Sequence, residues 1–335
     1  MPFLKRLPCG IAATLAAWSM MPGTAGACTL SATSTNLGSL SSYTVANTAQ
    51  AGSGSAGLQC DILLAALTTH YVGLQVDAST FRLTGPSGQT IPFTAALSAN
   101  GAALAIGSFQ NLSSLSIVSL FAGTNNSIPL YFRTTATSGL RAGRYTGFLD
   151  LRWFYSVCSL GAAVCLSYSS SPGFVRPGLG VSLNWGAGST VRVNVELTVL
   201  NDCIITAPAA SFGSAPLVGS FNPITRTILI RCSAGASYTV GLNDGNNADG
   251  TVRRMRRIDN SSNYLRYEIY KSASSTERWG SVDSARRSSA TADTNQGIYD
   301  SVTTQSYTYR AAVLPGQITP AAGDYSDTIR IDVAF

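Results

Sequence analysis

The chain has 335 residues, of which 45% are hydrophobic and only 11% are charged, and its formal net charge is +6. So small a charge argues against a protein that binds nucleic acid, because such proteins carry dense basic patches. The length suits two domains of about 150 residues each, and with so few charged residues the surface must be covered largely by Ser, Thr, Asn and Gly, as in many exported β proteins.

The first segment, residues 1–27, has the features of a signal peptide. Two basic residues precede an apolar run at 11–21, and small residues at 25–27 suit cleavage by signal peptidase. We predict that cleavage makes Cys28 the first residue of the mature chain. Lipidation of that cysteine is the alternative, but lipoprotein signals usually carry Leu three residues earlier, where this chain has Ala25. Because no later apolar run is long enough to span a bilayer, the sequence predicts a soluble exported protein.

The mature sequence contains two copies of one pattern. Similar stretches recur in the same order and at nearly the same offset, and they pair 28–38 with 203–213, 71–74 with 238–242, 131–133 with 308–310, and 142–152 with 322–332. Such a repeat indicates a duplicated domain.

The cysteines follow the same repeat. Six remain after the signal peptide is removed, an even number that favours disulfides in an oxidising compartment. The repeat predicts one bond within each copy and leaves a third that closes a short loop between the copies. The expected pairs are Cys28 with Cys60, Cys203 with Cys232, and Cys158 with Cys165.

The pattern of apolar residues predicts an all-β fold. Short alternating runs such as 227–231, 265–270 and 328–335 are separated by clusters of Gly, Asn and Ser, and no segment after the signal peptide has sustained helical periodicity. We therefore expect two antiparallel β-sandwich domains, one at 28–200 and the other at 201–335.

The C-terminal copy contains several distinctive motifs. They are Phe212-Gly213 after the cysteine, the glycine-rich stretch 241–247 leading to the arginines at 253–257, the run 264–270, Trp279-Gly280, and the stretch 322–331. Together these motifs resemble the spore coat protein U domain. The N-terminal copy keeps only the ends of this pattern. In that family the domain is the pilin of archaic (Csu-type) chaperone–usher pili, and a two-domain member resembles the tip adhesin. The resemblance implies immunoglobulin-like sandwiches and an incomplete pilin domain whose missing last strand is supplied by a partner, a form of β-augmentation.

Residues 190–200 form the clearest predicted strand. Their apolar residues alternate with polar ones, so one face of the strand is apolar, and these residues are Val191, Val193, Val195, Leu197 and Val199. In a pilin the donor extension would lie here, ahead of Cys203. Burial of the five side chains offers on the order of 10 kcal/mol before entropy is subtracted. We predict that this strand folds back and completes the N-terminal domain of the same molecule.

The two ends of the mature chain suggest a polarity. No extension precedes Cys28 after cleavage, so we expect a subunit that accepts a donor strand, cannot donate one, and ends the fibre. At the other end, alternating apolar residues predict a last strand that borders the open groove and contacts first a chaperone and then a pilin; they are Ile329, Ile331, Val333 and Phe335. An ordinary edge strand in a self-sufficient domain is the alternative.

Three apolar stretches of the N-terminal copy are candidate surface-binding loops. Loops are normally polar, so an apolar loop needs either a core or a partner. The stretches are a segment at 61–71 that is four residues longer than in the other copy, with Ile62, Leu63, Leu64 and Leu67, a segment at 112–123 with Leu120 and Phe121, and a loop at 153–168 with Leu160 and Val164. Hydrophobic loops of archaic tip adhesins are held to bind apolar surfaces, and the resemblance implies the same here. Burial within the domain is the alternative for each loop.

The sequence offers little for catalysis or metal binding. His70 is the only histidine, and no GxSxG motif accompanies it. The stretch 244–249 approaches a calcium loop, but Ala248 stands where an oxygen ligand is needed. The arginines at 253–257 have no aromatic stacking motif beside them, so nucleic acid is not an expected partner. We expect no cofactor, no metal and no enzymatic activity.

The resulting hypothesis is a pilus tip adhesin that is exported through the periplasm to the cell surface and supports adhesion and biofilm formation. The expected partners are a periplasmic chaperone, an outer-membrane usher, an adjacent pilin subunit, and an abiotic or host surface. The first alternative is a structural shaft or coat subunit with two fused domains. A secreted hydrolase that uses His70 is a more distant alternative.

Overall fold

A computed structural model of the chain describes residues 28–61, 68–161, 164–259 and 262–335. The predicted signal peptide at 1–27 therefore lies outside the described residues. Buried apolar side chains form two separate clusters, one at 28–199 and the other at 218–313. None of the helices in the described ranges is both long enough and apolar enough to cross a lipid bilayer.

The N-terminal domain is built from strands β1 to β11 and two short helices. In chain order they are β1 (Cys28–Leu30), β2 (Thr33–Ser41), α1 (Ser42–Asn47), β3 (Ala51–Cys60), β4 (Tyr71–Ser79), β5 (Arg82–Thr84), β6 (Thr90–Ala96), β7 (Phe109–Asn111), α2 (Ile117–Leu120), β8 (Ser127–Thr134), β9 (Gly143–Gly161), β10 (Cys165–Ser170) and β11 (Ser189–Leu200). A 3-10 turn at Thr124–Asn126 precedes β8.

Strand β9 is the centre of this domain. The strand order is β1-β3-β8-β6-β5-β9-β11-β2, and β9 also pairs with β4 and β10. Alternate residues of β9 point into the core, where Tyr145, Leu149, Leu151 and Trp153 are fully buried. Trp153 satisfies its indole N–H by donating to the Ala56 carbonyl at 2.9 Å, so β9 joins the two layers of the sandwich.

The C-terminal domain contains strands β12 to β20. In chain order they are β12 (Cys203–Thr206), β13 (Ile224–Cys232), β14 (Thr239–Leu242), β15 (Arg254–Arg257), β16 (Tyr264–Tyr270), β17 (Arg287–Ser288), β18 (Gln305–Val313), β19 (Tyr325–Ser326) and β20 (Ile331–Ala334). One sheet has the order β12-β13-β18-β16-β15-β19 and the other the order β17-β14-β20. Further 3-10 turns lie at Val218–Ser220, Asp283–Ala285 and Ser289–Thr291. The all-β prediction is confirmed.

The two domains repeat the same local geometry. Cys28 lies opposite Cys60 across β1 and β3, as Cys203 lies opposite Cys232 across β12 and β13. The predicted cysteine pairs are bonded, including the short loop closed by Cys158 and Cys165. In the entropic model each of the two longer loops stabilises its domain by about 3 to 4 kcal/mol.

A tyrosine near the end of each copy fixes the alignment of the two domains. The Tyr145 hydroxyl donates to the Arg141 carbonyl at 2.8 Å, and the Tyr325 hydroxyl donates to the Ala321 carbonyl at 2.6 Å. Two residues before each tyrosine stands a glycine with φ of 145° at Gly143 and 151° at Gly323. Residues 143–153 are therefore aligned with 323–333 by the repeat in sequence and by this shared turn around the tyrosine.

The domains meet at α1, close to the point where the chain passes from one to the other. The hydroxyls of Ser42 and Ser233 are hydrogen-bonded at 2.7 Å, and the Tyr43 hydroxyl donates to the Arg231 carbonyl at 2.7 Å. Burial raises the pKa of Tyr43 to about 12, so this hydroxyl remains protonated and able to donate even at alkaline pH where an exposed tyrosine ionises. Two residues separate β11 from β12, so the last strand of one domain leads directly into the first strand of the next.

Candidate functional site

Strand β11 lies inside the N-terminal domain. It pairs antiparallel with β9 from Ser189 to Val199 and parallel with β2 from Val193 to Leu200. Its five alternating apolar side chains are each at most 7% exposed, and they are Val191, Val193, Val195, Leu197 and Val199. The residues of the predicted closing strand thus fill the core between β9 and β2.

The outer face of β11 carries ion pairs rather than apolar contacts. Arg192 bonds both carboxylate oxygens of Asp150 on β9, at 2.7 and 2.8 Å, and this bond holds the pKa of Asp150 below its usual value. Glu196 of β11 forms an ion pair with Arg144, which is also on β9. Since exposed pairs of this kind contribute little, the buried face fixes the register of β11.

The C-terminal domain has a gap at the corresponding place. Among the described residues, no strand lies between 208–216, which corresponds to β2, and 323–331, which corresponds to the first part of β9. The inward side chains of this last segment are only partly buried, whereas their N-terminal counterparts are fully buried. The matching pairs are Tyr325 with Tyr145, Ile329 with Leu149, Ile331 with Leu151, and Val333 with Trp153.

At the Tyr325 end of this gap lies an open groove of about 580 Å³. One wall is the segment 210–218 and the other is 319–325, while Met255 and Leu265 form part of the floor. The first wall keeps the local turn of its counterpart, because Gly213 N–H donates to Ser211 Oγ at 3.1 Å just as Gly38 N–H donates to Asn36 Oδ1 at 2.7 Å. It forms no strand there, since it lacks the neighbour that β11 provides to β2.

The predicted last strand is shorter than its sequence pattern. Ile331 and Val333 belong to β20 and pair with β14, opposite Leu242 and Val240. Ile329 precedes the strand, and Phe335 follows it and is 56% exposed. The alternation at 328–335 therefore overestimates the length of the strand, because only residues 331–334 form backbone pairs with β14.

At the other end of the molecule, one predicted surface loop is wrong. Leu120 and Phe121 are 5% and 2% exposed, so they are core residues and not a surface for binding. Residues Ile117–Leu120 form one helical turn, α2, whose period places Ile117 and Leu120 inward and Val118 outward. A helical turn thus explains the apolar run at 112–123.

The β9–β10 hairpin presents apolar side chains to solvent. Val164 and Leu166 are 74% and 76% exposed next to the disulfide between Cys158 and Cys165. Leu160 belongs to β9, but its side chain is not described. The predicted loop residues Ile62, Leu63, Leu64 and Leu67 lie outside the described residues.

A further apolar hairpin was not predicted from the sequence. Val175 and Asn184 exchange backbone hydrogen bonds at 2.8 and 3.0 Å, and Gly178 and Val181 do the same at the tip. Leu179 at the tip is fully exposed. The available signal was the pair of glycines around this leucine, since two glycines so close indicate a tight turn.

An aromatic cluster supports both hairpins. Trp185 packs edge-on against Phe109 and Phe174, with ring centroids 5.0 and 5.5 Å apart. The Arg176 guanidinium lies 3.7 Å from the ring centroid of Tyr168 on β10 and 4.8 Å from that of Tyr71 on β4. Arg176 therefore joins the bases of the two hairpins to β4.

His70 has a structural contact in this region. Its Nε2 lies 3.0 Å from the Leu115 carbonyl oxygen, in the segment that leads into α2. Within the described ranges, no three His, Cys, Asp or Glu side chains are grouped closely enough to hold a metal ion.

Comparison with known proteins decides the family. The model of the Spore Coat Protein U domain matches residues 14–151 and again residues 189–332. The chain belongs to the Spore Coat Protein U domain family. No curated protein sequence matches it significantly.

This member of the Spore Coat Protein U domain family is similar to a solved structure over nearly its whole length. A chain in the crystal structure of the CsuC-CsuE chaperone-tip adhesion subunit pre-assembly complex, from archaic chaperone-usher Csu pili of Acinetobacter baumannii, is 30% identical, with a TM-score of 0.69. The match covers 92% of this chain and 100% of that chain.

Two other adhesins are more distant. CfaE, the adhesive subunit of the CFA/I fimbria of enterotoxigenic Escherichia coli, is 11% identical over 90% of this chain and 92% of its own, with a TM-score of 0.30. The CupB6 tip adhesin of Pseudomonas aeruginosa is 10% identical over 91% and 92%, with a TM-score of 0.29. TM-scores this low do not establish that either adhesin has the same fold as this chain.

The second Spore Coat Protein U domain match begins at residue 189, which is the first residue of β11. By sequence, β11 is therefore the leading strand of the second copy. In space it completes the core of the first copy.

Proposed function

We propose that this chain is a tip adhesin of a chaperone–usher pilus. The observation that carries the proposal is the position of β11, because it fills the first domain and leaves the groove of the second domain open. The N-terminal domain attaches to a surface, and the C-terminal domain joins the fibre by accepting a strand. The similarity of this chain to one from a chaperone-tip adhesion subunit complex supports the role of a pilus adhesin.

The groove of the C-terminal domain explains the order in which the partners bind. A groove that exposes apolar core side chains such as Met255 and Leu265 between backbone segments without a strand partner is an aggregation hazard until another strand covers it. A periplasmic chaperone supplies that strand first, and an adjacent pilin replaces it at the outer-membrane usher. The protein is thereby exported through the periplasm to the pilus tip, and its role is adhesive and not enzymatic.

Co-expression with the chaperone tests the groove. The mature chain expressed alone should aggregate, and the chain expressed with its chaperone should be recovered as a soluble one-to-one complex, measured by size-exclusion chromatography with light scattering. A soluble monomer obtained without the chaperone would contradict the proposal, because a self-sufficient domain needs no foreign strand.

The two hairpins at the opposite end are the proposed surface-binding loops. Val164 and Leu166 project from the β9–β10 hairpin and Leu179 from the hairpin at 174–185. The disulfide and the Arg176 contacts hold the bases of these hairpins, so the apolar side chains stay exposed instead of collapsing on the domain. Each such side chain offers about 1.5 to 3 kcal/mol when it is buried against an apolar surface.

Serine substitutions test these loops. The variant with Val164→Ser, Leu166→Ser and Leu179→Ser should reduce attachment of piliated cells to polystyrene at least about tenfold, with the same number of pili in electron micrographs. Ile298→Ser with Val302→Ser is the control, because both residues are strongly exposed and belong to the C-terminal domain. Undiminished attachment of the loop variant, or an equal loss in the control, would refute the assignment.

A further inference from the structure

The N-terminal domain provides a template for how a strand fits the C-terminal groove. In that domain Val193 lies opposite Leu149, Val195 opposite Gly147 and Leu197 opposite Tyr145. In the alignment of 143–153 with 323–333, Leu149, Gly147 and Tyr145 correspond to Ile329, Asp327 and Tyr325 of the C-terminal domain. A strand in the same register would therefore face Ile329, Asp327 and Tyr325 in turn.

The two domains differ most at the middle of these positions. Gly147 needs the absence of a side chain, because a Cβ there would come within 2.6 Å of the Arg82 carbonyl oxygen and 3.1 Å of the Phe93 ring. Val195, which lies opposite this glycine on β11, is 1% exposed. The C-terminal domain has a carboxylate at this place, on Asp327.

The Asp327 carboxylate is held inside the open sandwich. Oδ1 accepts hydrogen bonds from the backbone N–H groups of Asn246 and Asn247 at 2.9 and 3.2 Å, and from the Asn247 side-chain amide at 3.1 Å. Oδ2 accepts from the hydroxyl of the buried Tyr267 at 2.7 Å. A carboxylate oxygen can accept more than one bond, so Oδ2 can accept another from an incoming strand.

We propose that Asp327 determines the sequence of the strand that this groove accepts. This inference rests on the proposed function. The accepted strand runs antiparallel to 323–333, has apolar side chains facing Tyr325, Ile329 and Ile331, and has a small or hydrogen-bond-donating side chain, such as Ser, Thr or Asn, facing Asp327. An aliphatic side chain at that position would cover the carboxylate without bonding it, which is costly for a charged group. The groove thereby rejects a strand such as β11, which has Val195 at the corresponding place.

A strand appended to the full mature chain tests the inference. A short Gly/Ser loop after Phe335 is followed by a copy of residues 189–200, either unchanged or with Val195→Ser in the copy. The serine version should favour the closed C-terminal domain about tenfold more, because a bond to a charged group is gained, and should raise its thermal midpoint by about 5 °C. In the Asp327→Gly host the order of the two copies should reverse. In the Asp327→Asn host, which keeps the side-chain shape, the preference for serine should shrink. Leu197→Ser in the copy should weaken closure in every host.

The outcomes separate the inference from the function on which it rests. If neither appended strand raises the midpoint or yields a soluble monomer without a chaperone, the proposed strand-accepting function fails. If the strands protect the domain but the unchanged copy protects as well as the serine copy or better, the role of Asp327 is refuted while the function stands. A serine preference that persists in the Asp327→Gly host would also overturn it.

Discussion

Replacement of Val193 by aspartate should unfold the N-terminal domain and leave the C-terminal domain folded. Val193 is completely buried at the middle of β11, between β9 and β2. The substitution removes about 1.5 to 3 kcal/mol of apolar burial and adds several kcal/mol for a buried carboxylate without a partner. Domains of this size have a free energy of unfolding of about 5 to 15 kcal/mol, so the change consumes most of the stability.

Hydrogen–deuterium exchange of the whole chain measures this effect domain by domain. Backbone amides of β9 should lose their protection in the variant, because β11 no longer covers them, while those of β13 and β18 in the C-terminal domain keep theirs. The mass of peptides from each strand after a short labelling pulse gives both results in one sample.

The neighbouring residue provides the matched control. Asn194 is on the same strand but faces outward and is exposed, so Asn194→Asp introduces the same carboxylate in contact with water. We expect protection in β9 to be unchanged in that variant. Equal protection of β9 in the Val193→Asp variant and the native chain would show that β11 is not needed to close the domain.

The parts of the fold that the sequence predicts are those with a local period. The five apolar residues of β11 alternate without interruption, and a strand with one buried face must do so. The cysteine pairs followed from the repeat, because two copies of one domain must bond in the same way. Most of the architecture could thus be predicted from short-range apolar patterns and from the internal repeat.

The failures have equally physical causes. Leu120 and Phe121 belong to a single helical turn, which is too short to reveal its period and so reads as an apolar loop. Leu179 stands alone between glycines, and one residue has no periodicity. Arg176 and Asp327 contribute through partners far away in the sequence, Tyr71 and Tyr267, and contacts of that kind leave no trace in a local pattern.

The arginine cluster at 253–257 also makes contacts with residues far away in the sequence. Its buried member, Arg253, should be decisive for the stability of the C-terminal domain. Arg253, the first of several arginines at 253–257, is completely buried. Its Nη2 donates to the carbonyls of Leu242 and Trp279 at 2.9 and 2.8 Å, and its Nη1 donates to Glu268. The side chain therefore ties the end of β14 to β16 across the domain that lacks a strand.

Arg253→Met should destabilise the C-terminal domain by about 3 to 5 kcal/mol, because it leaves Glu268 with one arginine partner instead of two and removes the donor to the buried carbonyls of Leu242 and Trp279. Urea denaturation followed by pulsed hydrogen exchange of β16 measures the loss. Arg254→Met is the matched control, since that side chain is partly exposed and pairs with the exposed Asp249; it should cost less than about 1 kcal/mol.

A second substitution separates the buried charge from simple packing. Glu268→Gln in the Arg253→Met chain removes the carboxylate that lost one of its two arginine partners, and Arg278, the other partner, keeps its pair with Asp244. The double variant should recover part of the lost stability, since a neutral amide costs less to bury than a carboxylate that has lost one of its two cationic partners. If Arg253→Met and Arg254→Met have equal effects, or the double variant is no more stable than Arg253→Met alone, the ion pair does not hold β14 against β16, and the open groove owes its shape to the apolar core alone.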